Sequence, residues 1–321
     1  MAERIALSVV VASHGRPLRL RWLLNALEEQ SLSEPWEVVV VHDYDAATTA
    51  RVLGRHGMSA AGVLRHIAIE PGTGSPARQR NIGWRAARGE LIAFTDDDCR
   101  PEREWLERLT VAARSLPGEI VQGTTHPDPY EHAILAAPHV RTLLIDPVGP
   151  FAQTCNILYP RALLERLEGF DERAVAGEDV ELSLRARAAG ARVWPAADAL
   201  VYHAIESHTL PGILIQNLKW RYLAYLVKKH PELRRELTLR VFWDADHLWV
   251  TAAAVGLTAA RRRPGMLALA APYVLSSSRR RGRGPRARAL VVAEMPGQAV
   301  RQLAEVLGLA AGSVRHRTLV L

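Results

Sequence analysis

The chain has 321 residues, and its 41 Lys and Arg against 34 Asp and Glu give a net charge of +7. A hydrophobic fraction of 48% and a charged fraction of 23% are typical of soluble globular proteins, which excludes a mainly disordered chain and a polytopic membrane protein. Two cysteines, Cys99 and Cys155, are too few for a disulfide scaffold, and no signal peptide is visible, so we expect a reduced, cytoplasmic setting.

The first half of the chain alternates short apolar runs with helical patterns. The runs are rich in β-branched residues and apolar on both faces, as buried parallel strands are. The strand candidates are 5–12, 37–41, 63–68, 90–95 and 119–122. Helical periodicity begins after Pro17 and recurs over 77–88 and 102–115. This alternation predicts an α/β fold with a mostly parallel sheet, whose ligands bind beyond the carboxyl ends of the strands.

Three adjacent carboxylates, Asp96, Asp97 and Asp98, directly follow the strand candidate at 90–95. They repel one another unless a cation lies among them, and hard cations such as Mn²⁺ and Mg²⁺ prefer oxygen ligands. The alternative is a turn that caps the next helix, but a cap needs only one Asp. A metal site at this strand end is therefore a prediction, and a capping turn explains only part of the pattern.

Two further segments place charge at predicted helix starts. A loop with Gly72 and Gly74 precedes a helix carrying Arg78 and Arg80, which suits an anion, although it matches neither the P-loop nor the dinucleotide fingerprint. The alternative there is a flexible loop and a solvated basic helix. A helix is also predicted over 178–189, and an acid at its start is either a helix-dipole partner or a general base. A strand candidate at 191–194 follows this helix.

The order of these segments resembles the family 2 glycosyltransferases of the GT-A fold. The matching segments are, in chain order, 12–17, 41–43, 80–83, 94–101, 169–171 and 177–179. The resemblance as a whole covers roughly residues 5–205. His42 stands where the family usually has an Asp, and Tyr44-Asp45 replaces its Gly-Ser, so the nucleotide base and the sugar stay open.

The resemblance implies a GT-A type Rossmann-like, mostly parallel α/β sheet flanked by helices, with a helical C-terminal extension. The catalytic domain is expected at 1–210 and the mainly helical region at 211–321. The implied activity is metal-dependent, inverting transfer of a sugar from a nucleoside diphosphate sugar to an acceptor hydroxyl. A glycan or lipid-linked acceptor is expected, as in cell-envelope polysaccharide or glycolipid synthesis.

The resemblance also implies roles for individual residues. Asp179 is expected to be the general base, with Glu178 orienting it or the acceptor. The residues expected to bind the nucleotide sugar are Ser13, Arg16, Asp43, Arg80, Asn81, Asp96 and Asp97. The expected ligands of Mn²⁺ or Mg²⁺ are Asp98, Asp96 and His203, with a packed or surface histidine as the alternative for His203. Trp220 is expected to stack on the acceptor sugar or, alternatively, to belong to the apolar stripe of an amphipathic helix.

The last third carries nine arginines within residues 261–288, with no acid between them. Apolar runs at 248–260 and 265–275 are shorter than the about 20 residues that a membrane span needs. These runs and the arginines predict an interfacial hairpin that lies on an anionic membrane surface. The protein is then expected to be a peripheral protein at the inner face of the cell membrane. The alternative is an ordinary helical subdomain, and a further helix is expected at 297–307.

Three other functions compete with sugar transfer. A protein of this fold could bind nucleotide sugars without turnover. The arginine cluster could bind nucleic acid, but no aromatic residues are interleaved with Arg279–Arg288, so no nucleic acid is expected. A nucleotidyltransferase, which also uses strand-end carboxylates on an α/β sheet, is the most remote alternative.

Overall fold

The computed structural model describes residues 4–137, 139–149, 151–279 and 285–321, without the side chains of 278–279 and 285–292. The chain forms two compact units, Met1–Glu206 and Ser207–Leu321. The first unit contains the sheet and all of the strand-end residues named above, and the second is helical apart from short extended segments.

A sheet of eight strands forms the centre of the first unit. Its order is β3-β2-β1-β4-β7-β6-β8-β5. The strands are β1 Leu7–Ser13, β2 Trp36–His42, β3 Leu64–Ala68, β4 Leu91–Asp96, β5 Cys99–Pro101, β6 Ile120–Pro127, β7 Asn156–Pro160 and β8 Val193–His203. Strands β3, β2, β1 and β4 are parallel, whereas β7 is antiparallel to both of its neighbours.

Helices cover both faces of this sheet. They are α1 Pro17–Glu28, α2 Pro76–Ala86, α3 Trp105–Ser115, α4 Arg161–Arg166 and α5 Glu178–Ala188. Short helical turns lie at Ala46–Thr49, Ala50–Gly54, Gly57–Ala60 and Pro129–Ala136. Successive side chains of a strand point to opposite faces, so Val9 and Val11 pack with the leucines of α1, while Val10 packs with α2 and α5. This two-sided burial explains why the strands are apolar throughout.

The structure confirms the strands predicted at 5–12, 37–41, 63–68, 90–95 and 119–122, within about two residues at most ends. Two differences concern the antiparallel strands. β5 and β7 were not predicted, because they are short and lie beside prolines and polar residues. The strand predicted at 191–194 extends to His203, since its second half pairs with β6 and β5. The helix predicted from 102 begins at Trp105.

The second unit contains five α-helices within the described residues. They are α6 Leu210–Asn217, α7 Leu223–Lys229, α8 Ala245–Ala259, α9 Ala271–Arg279 and α10 Pro285–His316. Segments of 3₁₀ helix lie at Leu218–Tyr222, Pro231–Arg235 and Pro264–Ala270. The helix predicted at 297–307 is one part of the much longer α10. In the described part of the chain, every helix is too short or too polar to span a bilayer. Arg280, Arg281 and Arg283 of the arginine cluster lie outside the described residues.

Candidate functional site at the strand ends

The parallel register brings the polar ends of β1, β2 and β4 together. Ser13 pairs with His42 across β1 and β2, and Ala12 pairs with Asp96 across β1 and β4. The carboxyl ends of these strands therefore lie at one edge of the sheet, where ligands of such folds bind. Ser13 is buried and its Oγ donates to Asp97 Oδ2 over 2.6 Å.

The three adjacent carboxylates turn to three different environments, which relieves their mutual repulsion. Asp96 Oδ1 accepts a hydrogen bond from Arg80 over 2.8 Å. Asp97 lies 2.6 Å from the Arg16 guanidinium, and Asp98 pairs with the same guanidinium. Burial raises the pKa of Asp97 to about 6, although Arg16 and Ser13 lower it. Arg16 therefore supplies the positive charge that reduces the repulsion between Asp97 and Asp98.

Antiparallel pairing of β5 with β8 sets Cys99 opposite His203 and brings His203 to Asp98. His203 Nε2 lies 3.7 Å from Asp98 Oδ1. The other ring nitrogen of His203, Nδ1, is 2.9 Å from the Ala204 carbonyl oxygen, which can only accept. Nδ1 therefore carries the proton in the neutral ring, and Nε2 presents its lone pair to the side where Asp98 lies.

This donor set fits a divalent cation. Asp98 Oδ1 is buried and has no hydrogen-bond donor among the described residues, although buried polar atoms are normally paired. Ligand atoms of Asp98, Cys99 and His203 lie within 4.8 Å of one another. Carboxylate and imidazole suit Mn²⁺, whereas the Cys99 thiol is completely buried and burial raises its pKa well above the ordinary value. The fit therefore rests on Asp98 and His203. Asp96, which was also expected to be a metal ligand, lies outside this group and forms an ion pair with Arg80 over 2.8 Å.

Arg80 joins the strand-end carboxylates to the start of α5. Its guanidinium is buried and donates to Asp96 over 2.8 Å and to Glu178 over 2.6 Å. Gly177, with a φ of +76°, precedes the helix in a left-handed backbone that favours glycine, and it directs Glu178 and Asp179 into the first turn. Arg80 therefore holds Glu178 from one side, and it does not face outward as a free anion-binding group.

The carboxyl of Asp179, in the first turn of α5, has a raised pKa. Burial, followed by repulsion from Glu178, raises the pKa of its carboxyl to about 7, against the opposing effect of Arg80. Its Oδ1 accepts only the nearby backbone N–H of Val180, over 2.8 Å, among the hydrogen bonds of the described residues. A carboxylate with a pKa near neutrality is suited to taking a proton during a reaction.

Asn81 connects α2 to the Gly-Phe-Asp segment. Its Oδ1 accepts from Phe170 N over 2.9 Å and from the Trp84 indole over 3.0 Å, while Nδ2 donates to the Phe170 carbonyl. Gly169 has a φ of +74°, and a Cβ there would lie 2.4 Å from Asn81 Oδ1. This contact explains why the motif needs glycine. The side chain of Asn81 is used in these bonds, so its expected contact with the nucleotide stays a prediction that the geometry does not favour.

Asp43 and His42 follow β2 in different environments. Asp43 Oδ2 lies 2.6 Å from His14 Nδ1, and the exposed His14 was not singled out from the sequence. His42 is fully buried and stacks on Tyr44 at 5.3 Å. Burial, together with the neighbouring His66, lowers the pKa of His42 to about 4, so the residue that replaces the family's Asp is uncharged near neutral pH.

Trp220 lies in the second unit. Its ring packs edge-to-face on Trp243 at 5.8 Å and on His247 at 5.1 Å. The described contacts are those of a packed helical stripe, and its expected role with the acceptor stays a prediction.

Sequence reasoning missed the aromatic residues beside the carboxylates. Tyr130, Tyr202 and Trp22 line a cavity of about 880 Å³ that also reaches Asp98. No spacing motif marks them, because they come from a helix, a 3₁₀ turn and a strand far apart in the chain. The one available signal was the position of Tyr202 directly before His203.

Comparison of the sequence with protein families matches the description "Glycosyl transferase family 2" over residues 8–167. Glycosyltransferase AglE of Haloferax volcanii is 24% identical over 201 residues, which are 61% of this chain and 66% of AglE. The pre-mycofactocin glycosyltransferase of Mycobacterium tuberculosis is 29% identical over 190 residues, which are 55% of this chain and 39% of the relative. The matches therefore span less than two thirds of these curated relatives.

Two solved structures align with nearly all of the chain. TarS 1–349 of S. aureus in complex with UDP superposes with a TM-score of 0.52 and 17% identity, covering 98% of this chain and 92% of that one. The mannosyltransferase PcManGT of Pyrobaculum calidifontis, in complex with GDP-Man and Mn²⁺, gives a TM-score of 0.56 and 19% identity, covering 98% and 88%. At these identities the likeness shows the fold, which is of the GT-A type.

Proposed function

We propose that this chain, which belongs to glycosyl transferase family 2, transfers a sugar from a nucleoside diphosphate sugar to an acceptor hydroxyl. The observation that carries the proposal is the pair of Asp98 Oδ1 and His203 Nε2, which lie 3.7 Å apart at the carboxylate-rich strand ends, beside the Arg16 guanidinium. The curated relatives are named glycosyltransferases, and the two solved structures contain UDP and GDP-Man.

A bound Mn²⁺ or Mg²⁺, held by Asp98 and His203, supplies Lewis-acid neutralisation of the leaving diphosphate. The remaining chemistry belongs to the chain. Arg16, already beside Asp97 and Asp98, adds positive charge where the diphosphate lies. Ser13 and Asp43, at the ends of β1 and β2, are the proposed contacts of the nucleoside.

Asp179 takes the proton of the acceptor hydroxyl as its oxygen attacks the anomeric carbon. The bond from that carbon to the diphosphate oxygen breaks, and its electron pair leaves with the diphosphate. A single displacement of this kind inverts the anomeric configuration. Arg80 keeps Glu178 beside the base through the 2.6 Å ion pair, so the like charge that raises the pKa of Asp179 is fixed in place.

Binding of nucleotide sugar without turnover is the alternative within the same fold. The raised pKa of Asp179 favours turnover. A carboxylate that only interacts with the positive end of a helix dipole is stabilised in its charged form, so its pKa would not rise to about 7.

We also propose that the second unit attaches the enzyme to an anionic membrane surface at the cytoplasmic face. Leu257, Leu267 and Leu275 are each half or more exposed, and Arg261–Arg263 between the two apolar segments are exposed as well. Arginines beside exposed leucines are typical of segments that lie in the headgroup region. Such a location favours a lipid-linked or cell-envelope acceptor.

The proposal is tested by measuring the thermal stability of the full chain with UDP, GDP, dTDP or ADP, each with and without Mn²⁺. A ligand that binds only the native state at a hundredfold excess over its Kd stabilises it by roughly 2.7 kcal/mol. We expect one diphosphate to raise the Tm only with Mn²⁺ and Asp98→Asn to remove that shift. The matched control, Asp198→Asn, changes an exposed carboxylate of β8 and should retain it. If no diphosphate shifts the Tm of the wild type, the proposed donor site is wrong.

A further inference from the structure

The cavity beside Asp98 is lined by aromatic rings that the proposed transfer reaction does not use. Trp22 comes from α1, Tyr130 from the 3₁₀ turn Pro129–Ala136 and Tyr202 from β8. Its volume of about 880 Å³ is within the range of small-molecule sites. All of these residues belong to the first unit, so the cavity is formed by the catalytic unit alone.

The rings are held in place although they are open to solvent. The Arg100 guanidinium lies between Tyr130 at 4.7 Å and Tyr202 at 4.6 Å, and it donates two hydrogen bonds of 2.9 Å to Asp128. Tyr130 is nevertheless 85% exposed. The ion pair with Asp128 fixes the guanidinium that lies over the exposed Tyr130 ring, and this contact reduces the entropic cost of ordering the ring when a ligand stacks on it.

Trp22 is held in the same way. Arg19 lies over its ring at 5.0 Å and pairs with Glu131, which also accepts the backbone N–H of Ile205 over 2.8 Å. Trp22 is 45% exposed. Two exposed aromatic residues, each with a guanidinium over its ring, thus line one cavity, and paired exposed rings in a concave site are typical of ligand pockets.

The charge of the lining selects the kind of ligand. Six carboxylates and three guanidinium groups line the cavity. An excess of carboxylates repels phosphates, so this cavity suits the sugar part of an acceptor rather than a nucleotide or the pyrophosphate of a lipid carrier. Aromatic faces are negative and attract the polarised C–H groups on one face of a sugar ring. Carboxylates accept hydrogen bonds from sugar hydroxyls.

We propose that this cavity is an acceptor-side subsite that binds uncharged sugar residues of a glycan by stacking on Trp22 and Tyr130. The inference rests on the proposed sugar transfer and names the acceptor's chemical class. Because Asp98 lines the same cavity, a glycan seated there reaches the carboxylate edge at which the donor is proposed to bind.

The test is isothermal titration calorimetry of the full chain with four neutral trisaccharides: maltotriose, cellotriose, mannotriose and tri-N-acetylchitotriose. A hyaluronan tetrasaccharide is the anionic comparison. The variants are Trp22→Ala and Tyr130→Ala. The matched control is Leu18→Ala, which removes a residue of α1 that is 59% exposed and does not line the cavity. Both ring residues are exposed, so their loss leaves the fold intact.

We expect at least one neutral trisaccharide to bind, with a loss of tenfold or more in both aromatic variants and none in Leu18→Ala. The proposal is overturned if no neutral trisaccharide binds at millimolar concentration, if the anionic glycan binds more tightly, or if the aromatic variants bind like the wild type. The Mn²⁺-dependent diphosphate shift is measured in the same proteins. If that shift persists while saccharide binding fails, only the subsite is wrong; the opposite result refutes the donor site alone.

Discussion

His203 Nε2 lies 3.7 Å from Asp98 Oδ1, although the two residues are far apart in the chain. The pairing of β5 with β8 produces this approach, because Cys99 lies opposite His203 and Asp98 directly precedes β5. The Ala204 carbonyl fixes the proton on the other ring nitrogen. When the imidazole is neutral, its Nε2 lone pair and the carboxylate oxygen repel each other, and a cation between them would relieve that repulsion.

His203→Ala should weaken Mn²⁺ binding in the presence of the preferred nucleoside diphosphate by about 10- to 100-fold or more, because one of two protein ligands is lost. The measurement is a Mn²⁺ titration followed by water proton relaxation. His126→Ala is the matched control, since that imidazole lies 2.9 Å from Asp146 instead. Equal Mn²⁺ affinity in the wild type and His203→Ala would remove His203 from the site.

Transfer should depend on pH through Asp179, whose pKa is raised to about 7. A general base works only when deprotonated, so the rate should fall about tenfold for each pH unit below 7 and level off above it. The measurement is a pH profile of kcat/KM from pH 5 to 9. Asp179→Asn should lower the rate by about 10² or more above pH 7, and this loss should shrink at lower pH because the wild type then loses its own base. A profile that is flat from pH 5 to 7 would contradict the assignment.

The same carboxyl gives a prediction for stability. The folded pKa of about 7 exceeds the ordinary value of 3.8, so the contribution of Asp179 to stability is fully present below pH 3.8 and is lost as the pH rises to about 7. Asp179→Asn keeps the neutral form, and its Tm advantage over the wild type should grow between pH 5 and 8. Thermal unfolding at both pH values measures it, and an advantage that shrinks with rising pH would contradict the shift.

Arg80→Ala should destabilise the fold by about 3 kcal/mol or more, because it leaves Glu178 and Asp96 without their buried cation. Chemical denaturation at pH 7 measures the change. Arg78→Ala, two residues earlier on the same helix, removes an exposed guanidinium that bonds the Thr73 carbonyl, and it should cost under about 0.5 kcal/mol. Similar losses in both variants would show that the Arg80 bridge contributes little.

Binding to anionic vesicles should depend on the exposed leucines of the second unit. The double variant Leu257→Ser and Leu267→Ser should lose most of its co-sedimentation with phosphatidylserine-containing vesicles, because apolar burial and the neighbouring arginines act together. Leu307→Ser, which changes a leucine of α10 that is 68% exposed, is the control. If the double variant sediments like the wild type, these leucines do not contact lipid.

Local patterns predicted the parallel half of the fold well. The runs at 37–41 and 90–95 are buried on both faces, so their composition alone identifies them as strands. The antiparallel strands β5 and β7 were missed, because three to five residues beside prolines carry no periodicity, and only pairing with distant strands makes them extended. Because β5 was not predicted, its pairing with β8, which brings Asp98 close to His203, could not be predicted either.

The candidate site shows the same division. Asp98, His203 and Asp179 were named from motifs, and the structure places Asp98 beside His203. The partners of Arg80 and Asn81 could not be read from the motif, since they come from α5 and the 169–170 turn. The Tyr130–Arg100–Tyr202 stack is assembled from three elements, and no linear pattern records it.

The most direct test of the central claim is release of the nucleoside diphosphate from UDP-, GDP-, dTDP- and ADP-sugars by the purified full chain with Mn²⁺ and a glycan acceptor. The account predicts that one donor is consumed, that EDTA stops its consumption, and that Asp98→Asn and Asp179→Asn both abolish it while Asp198→Asn does not. Turnover that persists unchanged in EDTA and in Asp179→Asn would contradict the account.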